Sequence, residues 1–239
     1  IAFSGGKATY RNRFIRTRGF EAEQIAGESL WGGLADPPGV SKRPGFGAHG
    51  GLKDTASTDV VVHNGKAIAT FYQCGEGYVL DPETLENQGI APWVPLDGIS
   101  AHPKVDEATG ELMFFNYSKH PPYMHYGVVD ADGKLVTYVP IELPGPRLPH
   151  DMCFSENWSI LNDLPVFWDA ELMKHRNLHA VRLHEGVPSR FALIPRHGTA
   201  LIKLTEIEAE LDTQRKTADA SYSLIRHVDV LIAMVGEAR

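Results

Sequence analysis

Cysteine is scarce in this chain of 239 residues, which holds only Cys74 and Cys153. Two thiols in a chain this long point to a reduced, cytoplasmic protein rather than a disulfide-stapled scaffold. A catalytic thiol is one chemistry they allow, and a small buried hydrophobe is the ordinary one. Long apolar runs are missing too, so no segment reads as a transmembrane helix. The opening stretch IAFSGGKATYRNRF lacks a basic segment leading into an apolar one and does not read as a signal peptide. Positive charge is not in excess: 23 Lys and Arg against 30 Asp and Glu give a net charge of −7. That balance argues against a nucleic-acid partner, which selects for a basic face. Finally, there is no HExxH, no Cys-x-x-Cys and no EF-hand loop, which removes several common zinc and calcium sites.

What is present is a succession of short strand-like runs joined by turn chemistry as far as Gly198. ATYRNRFIRT (Ala8–Thr17) alternates at period two and predicts a strand. TDVVVHNGKAIATFYQ (Thr58–Gln73) predicts a hairpin around Asn64-Gly65, a pair suited to a type I′ turn. YMHYGVVDADGKLVTYVPI (Tyr123–Ile141) predicts another, turning at Asp132-Gly133. GFEAEQIAGESLW (Gly19–Trp31) interrupts the series with a helical pattern, and the Gly- and Pro-rich stretch Gly32–Lys53 predicts a long loop. Many short antiparallel strands mean a sandwich, a barrel or a propeller. Beyond Gly198 the pattern changes. Leu204, Ile207 and Leu211, then Leu224, Val228, Leu231 and Val235, recur at helical spacing and predict two amphipathic helices.

Of the eleven histidines, two stand apart by context. His102 lies in ISAHPKVDEATGEL (Ile99–Leu112) and His150 in RLPHDMCFSENWSILNDLP (Arg147–Pro165). Each adjoins a proline and precedes a strand-like run. Neutral imidazole suits iron, zinc or copper, although lone histidines are more often structural or exposed. His175, His179 and His184 have a spacing that a helix could turn into a metal face, and surface positions are the plainer reading of them.

These two segments, GISAHPKVDEATGELMFFNYSKHPPYMHYGVVDADGKL and LPHDMCFSENWSILNDLPVFWD, resemble the carotenoid cleavage oxygenase family. KATYRNRF, TDVVVHNGK, LDPETLE and VPSRFALIPRHG fall in the same order, so the resemblance runs from Lys7 to Gly198. It implies a seven-bladed β-propeller in which four histidines hold a non-haem Fe(II), with glutamates orienting some of them. It also implies dioxygen-dependent cleavage of a carbon–carbon double bond of a carotenoid, apocarotenoid or stilbene into two carbonyl products. His102 and His150 match the first two ligands. Glu76 matches a glutamate that accepts a ligand's other N–H, fixing its tautomer. On this reading the two rings face one point, their metal-facing nitrogens about 3–4 Å apart, with Glu76 beside one of them.

Two departures qualify the match. Family members are much longer, and the third and fourth histidine motifs have no counterpart here. Stilbene cleavers carry a lysine before the glutamate, where this chain has Gly75, which leans toward carotenoids or apocarotenoids. The expectation is therefore a mainly β, partial seven-bladed propeller over residues 1–198, with a helical tail over 199–239 that the family does not match. Its function would be that of an Fe(II) dioxygenase impaired by truncation. The alternatives are a catalytically dead propeller fragment or interaction module, and a stilbene-cleaving oxygenase. Its partners would be an apolar polyene and dioxygen. The chain would be cytoplasmic, soluble or in peripheral contact with a membrane from which it draws substrate.

Overall fold

The computed structural model describes residues 1–33, 36, 37, 39–43, 52–176, 180–198 and 203–206. Along the chain, β1 (Ala2–Ser4) and β2 (Lys7–Thr9) form a small hairpin, followed by helix α1 (Arg18–Ala26). The expected strand over Ala8–Thr17 is reduced to β2. Residues 10–17 instead run along the first large sheet, held by side chains: Arg11 donates to the Glu83 carbonyl at 2.7 Å and Asn87 to the Arg16 carbonyl at 3.3 Å. Helix α1 is shorter than its apolar pattern suggests because both ends are capped. The Thr17 hydroxyl accepts the Phe20 N–H at 3.1 Å, and Gly27 adopts φ 69° while its N–H donates to the Glu23 carbonyl.

Three four-stranded antiparallel sheets follow. The first is β3 (Asp59–His63), β4 (Lys66–Thr70), β5 (Tyr78–Leu80) and β6 (Asn87–Ile90), paired in sequence order. Its first hairpin turns at Asn64 (φ 47°) and Gly65 (φ 68°), as the type I′ reading requires. The second is β7 (Lys104–Val105), β8 (Leu112–Tyr117), β9 (Tyr123–Val129) and β10 (Leu135–Glu142). The third starts with β11 (Met152–Phe154) and β12 (Trp158–Asp163). An excursion then intervenes: β13 (Val166–Trp168), helix α2 (Ala170–Arg176) and β14 (Val181–Leu183), with β13 and β14 paired to each other. The third sheet closes with β15 (Arg190–Pro195) and β16 (Lys203–Glu206).

The helical tail expected over 199–239 does not begin where its periodicity suggested. Residues 203–206 are a strand, antiparallel to β15 in the register Arg190↔Glu206 to Leu193↔Lys203. A four-residue edge segment gains a ladder of backbone hydrogen bonds from β15, and that outweighs a helical spacing carried by Leu204, Ile207 and Leu211. The remainder of that tail lies outside the described residues.

The second sheet is buried on both faces, and its central strand shows why LMFFNY is apolar throughout. Met113 and Phe115 enter a cluster with Met152, Leu161 and Ile194 of the third sheet. Leu112 and Phe114 enter another with Ile68 of the first sheet and Trp93. Alternate residues of one strand thus serve two cores. Gly127, opposite Phe114 in the register, leaves room for the ring, since a Cβ there would meet it at 2.3 Å. A buried arginine ties the second and third sheets together. The Arg196 guanidinium pairs with Asp106 at 2.8 Å and Glu111 at 2.7 Å, both on the β7–β8 turn.

The leading strands of the three sheets are neighbours: β3 packs beside β7, and β7 beside β11. The sheets therefore fan out as blades from a common line, mainly β with few helices. No helix among the described residues is long and apolar enough to cross a membrane.

Candidate metal centre

His102 and His150 occupy matching places, two residues ahead of β7 and of β11. The approach to His102 is fixed by backbone bonds. The Ile99 N–H donates to Gly75 at 2.9 Å and the Ser100 N–H to Phe115 at 2.9 Å. The Ser100 hydroxyl donates to the Tyr72 carbonyl at 3.1 Å. Ile99, Ser100 and Ala101 are fully buried. His102 itself adopts φ 60°, left-handed backbone that a histidine tolerates at a cost of about 1–3 kcal/mol. Such a conformation persists only where the surroundings dictate it, and here the buried, hydrogen-bonded approach does so against the extended bias that Pro103 places on the residue before it.

His150 ends a proline-rich approach anchored by Arg147, whose Nε donates to Asp163 at 2.8 Å. The next residue, Asp151, accepts the Met152 N–H at 2.7 Å and pairs with Lys104 at 2.6 Å. Lys104 opens β7, so this pair fastens the start of one histidine strand to the other.

The two imidazoles meet. Their ring centres are 5.2 Å apart with planes at 70°. Metal–nitrogen bonds of about 2.0–2.1 Å put a ring centre about 3.2 Å from the ion. The observed separation is then what two rings sharing one ion would show at a ligand–metal–ligand angle of about 110°. The donor chemistry also fits iron, for which imidazole is a suitable ligand. Among the described residues, no group of three or more His, Cys, Asp and Glu is placed to hold a metal.

Among the described residues, no ion pair or hydrogen bond joins Glu76 to this pair. Glu76 is buried, and its carboxylate is taken by the Arg18 guanidinium at 2.8 Å and the Tyr78 hydroxyl at 2.5 Å. Arg18, the first residue of helix α1, reaches it from a distant part of the chain, which a motif match does not reveal. The carboxylate that reaches His102 is Asp59, at the start of β3, with Oδ2 3.5 Å from Nδ1. The Tyr72 ring, 6.2 Å from that of His150 and at 67° to it, forms another wall. Sequence reading missed both residues. Each contact joins segments far apart in the chain, and only an acidic residue opening a strand hinted at Asp59.

Gly75 has a specific cause. A Cβ there would lie 2.5 Å from the Asp54 carboxylate, which accepts the Glu76 and Ala56 N–H groups at 2.8 and 2.9 Å. Burial raises the Asp54 pKa, against the lowering effect of those two bonds.

Several of the remaining groups have structural partners. His63 donates from Nε2 to the Gly110 carbonyl at 3.0 Å. His184 donates from Nε2 to Phe167 at 3.2 Å. His197 lies 3.4 Å from Glu111. His175 lies on α2, while His49, His179 and His227 fall outside the described residues. Cys74 is buried between the Tyr117 N–H and carbonyl, and burial pushes its thiol up to about 12. Cys153 is raised for the same reason. Neither suits a nucleophile.

A family model described as retinal pigment epithelial membrane protein matches residues 1–215. The chain is 31% identical over 221 residues to carotenoid 9,10(9′,10′)-cleavage dioxygenase 1 of Phaseolus vulgaris, covering 82% of this chain and 39% of that protein. Among solved structures, the lignostilbene dioxygenase of Pseudomonas brassicacearum matches with a TM-score of 0.67 and 27% identity, over 81% of this chain and 40% of that one. Cobalt-substituted Synechocystis apocarotenoid oxygenase shares the fold at a TM-score of 0.60 and 22% identity, over 82% and 44%. The chain thus spans about two fifths of the length of the curated relatives it matches.

Proposed function

This chain belongs to the retinal pigment epithelial membrane protein family, the carotenoid oxygenases, and from that premise we propose that it forms part of a non-haem Fe(II) dioxygenase. The observation that carries the reading is the meeting of His102 and His150, two rings brought from separate blades to 5.2 Å. We assign them as two of four histidines around the iron of a seven-bladed propeller. When bound, Fe(II) supplies dioxygen activation. The reaction is cleavage of one carbon–carbon double bond of a carotenoid or apocarotenoid. One dioxygen is consumed, each of its atoms ends in one product, and two carbonyl compounds result.

The chain's own residues hold the geometry. The buried Ile99–Ala101 segment sets the His102 backbone. Lys104 and Asp151 keep its strand beside that of His150. Asp59 favours the His102 tautomer with hydrogen on Nδ1, leaving Nε2 for the metal. Glu76 serves the frame of the first sheet through Arg18 and Tyr78 rather than either ring.

Polyenes are favoured over stilbenes because Asp54 fills the space that a side chain at position 75 would need. An apolar polyene partitions into lipid, so a peripheral membrane contact in the cytoplasm is the route we assign for its uptake. These 239 residues contribute two of the four ligands, so the chain by itself holds iron weakly and turns over slowly. The test is to load it anaerobically with Fe(II), measure bound iron, and assay an apocarotenoid for aldehyde products. Iron retention that requires both histidines supports the reading, and retention indifferent to both removes it.

A further inference from the structure

Between β4 and β5 the chain makes a tight turn over residues 71–74, closed by the Cys74 N–H donating to the Phe71 carbonyl at 3.0 Å. Tyr72 is its second residue, and each of its parts reaches a different piece of the candidate metal centre. Its N–H donates to the Thr58 hydroxyl at 3.2 Å, next to Asp59, whose carboxylate approaches His102. Its carbonyl accepts the Ser100 hydroxyl at 3.1 Å, two residues ahead of His102. Its ring meets that of His150 edge to face, centre to centre at 6.2 Å and at 67°. One residue of the first sheet thus adjoins the segments that carry the carboxylate, the first histidine and the second.

Tyr117, the last residue of β8, holds this turn through three bonds. Its hydroxyl donates to the Tyr72 carbonyl at 2.6 Å. Its N–H donates to the Cys74 sulfur at 3.2 Å, and the Cys74 thiol donates to its carbonyl at 3.3 Å. A carbonyl has two lone pairs, and the hydroxyls of Tyr117 and Ser100 use both of those on Tyr72. Cys74 sits at φ 63°, left-handed backbone that a cysteine keeps only where its neighbours impose it, and the two bonds to Tyr117 do so.

We propose that Tyr72, held by the Tyr117 hydroxyl, is a positioning residue of the histidine pair, setting the His102 segment, the Asp59 carboxylate and the His150 ring in place relative to one another. The inference rests on the reading of His102 and His150 as ligands of one ion and adds the residue that fixes their spacing. Tyr72 acts through the two rings. Two imidazoles share an ion only while their lone pairs converge, so a turn that is free to shift costs metal affinity even where the fold survives.

The test titrates the whole chain anaerobically with Co(II) and follows the visible absorption of the bound ion, with urea denaturation of each variant alongside. Tyr117→Phe removes only the hydroxyl and keeps the ring and both bonds to Cys74. It should raise the dissociation constant about fivefold, the size of one hydrogen bond, and change the absorption of the bound ion. Tyr72→Leu, which takes the ring from His150 and keeps the backbone bonds, should weaken binding as well. The control is Tyr126→Phe, which removes a buried hydroxyl bonded to Ser159 at 2.6 Å, away from the pair. It should lower the denaturation midpoint and leave Co(II) binding and its absorption unchanged. Co(II) binding that needs both histidines but is indifferent to Tyr117→Phe and Tyr72→Leu overturns this inference and leaves the ligand reading standing. So does equal weakening by Tyr117→Phe and Tyr126→Phe, which would mark a general loss of stability. Binding that does not need the histidines overturns the ligand reading, and this inference with it. If Tyr117→Phe does not fold, Tyr72→Leu against the control decides the question.

Discussion

The Asp59 carboxylate lies 3.5 Å from Nδ1 of His102, joining the first residue of one blade's leading strand to the histidine that precedes the next. Both side chains are partly exposed, with Asp59 also accepting the Val60 N–H at 2.8 Å. On the proposed reading of His102 as a ligand, a carboxylate in this place would favour hydrogen on Nδ1 and leave Nε2 for the metal.

Replacing it is therefore expected to weaken metal retention without unfolding the chain. Asp59→Asn should raise the dissociation constant for Fe(II) or Co(II) about tenfold, read by anaerobic titration. Its denaturation midpoint should stay close to that of the unmodified chain.

Arg196 is the second target. Its guanidinium is 2% exposed and answers Asp106 and Glu111 on the β7–β8 turn. Arg196→Met should cost about 3 kcal/mol, because it leaves two carboxylates facing an apolar surface. The pH dependence has a definite sign. Arg196, with the Ala108 N–H, holds the Asp106 carboxyl below its usual value. A depressed carboxylate pKa stabilises the fold above the unfolded value, and that contribution is lost as pH falls through the folded one. Denaturation followed from neutral to acid pH should show a shallower acid loss in Arg196→Met than in the unmodified chain.

A third expectation concerns the core between blades. Gly127→Ala would drive a methyl group into the Phe114 ring, 2.3 Å from its Cζ. Phe114 is fully buried against Trp93 and Tyr138 and has nowhere to retreat. Overpacking of this kind costs about 1–3 kcal/mol. Gly39→Ala, with nothing within 4 Å of the added carbon, should stay within about 0.5 kcal/mol of the unmodified chain. Urea denaturation of the two variants compares them directly.

Much of this arrangement was written in local chemistry. Asn64-Gly65 dictates its hairpin because both residues accept positive φ. The unbroken apolar run of β8 announces a strand buried on both faces, as the two clusters bear out. His102 and His150 were legible from their prolines and motifs, and the structure brings their rings together. Other features depended on partners that sequence does not reveal. Ala8–Thr17 alternates like a strand, yet beyond β2 no strand among the described residues pairs with it. The spacing of Leu204, Ile207 and Leu211 looked helical until β15 offered 203–206 a ladder. Glu76 sat in the right motif, but Arg18 and Tyr78 claim its carboxylate, and Asp59 comes to His102 from another blade.

The central claim is that His102 and His150 bind one metal ion together. The measurement that tests it most directly is anaerobic calorimetric titration of the chain with Fe(II), repeated with His102→Ala, His150→Ala and, as a control, His175→Ala on helix α2. The account predicts one weak site per chain that disappears in either of the first two variants and persists in the third. Binding that survives both His102→Ala and His150→Ala unchanged would contradict it.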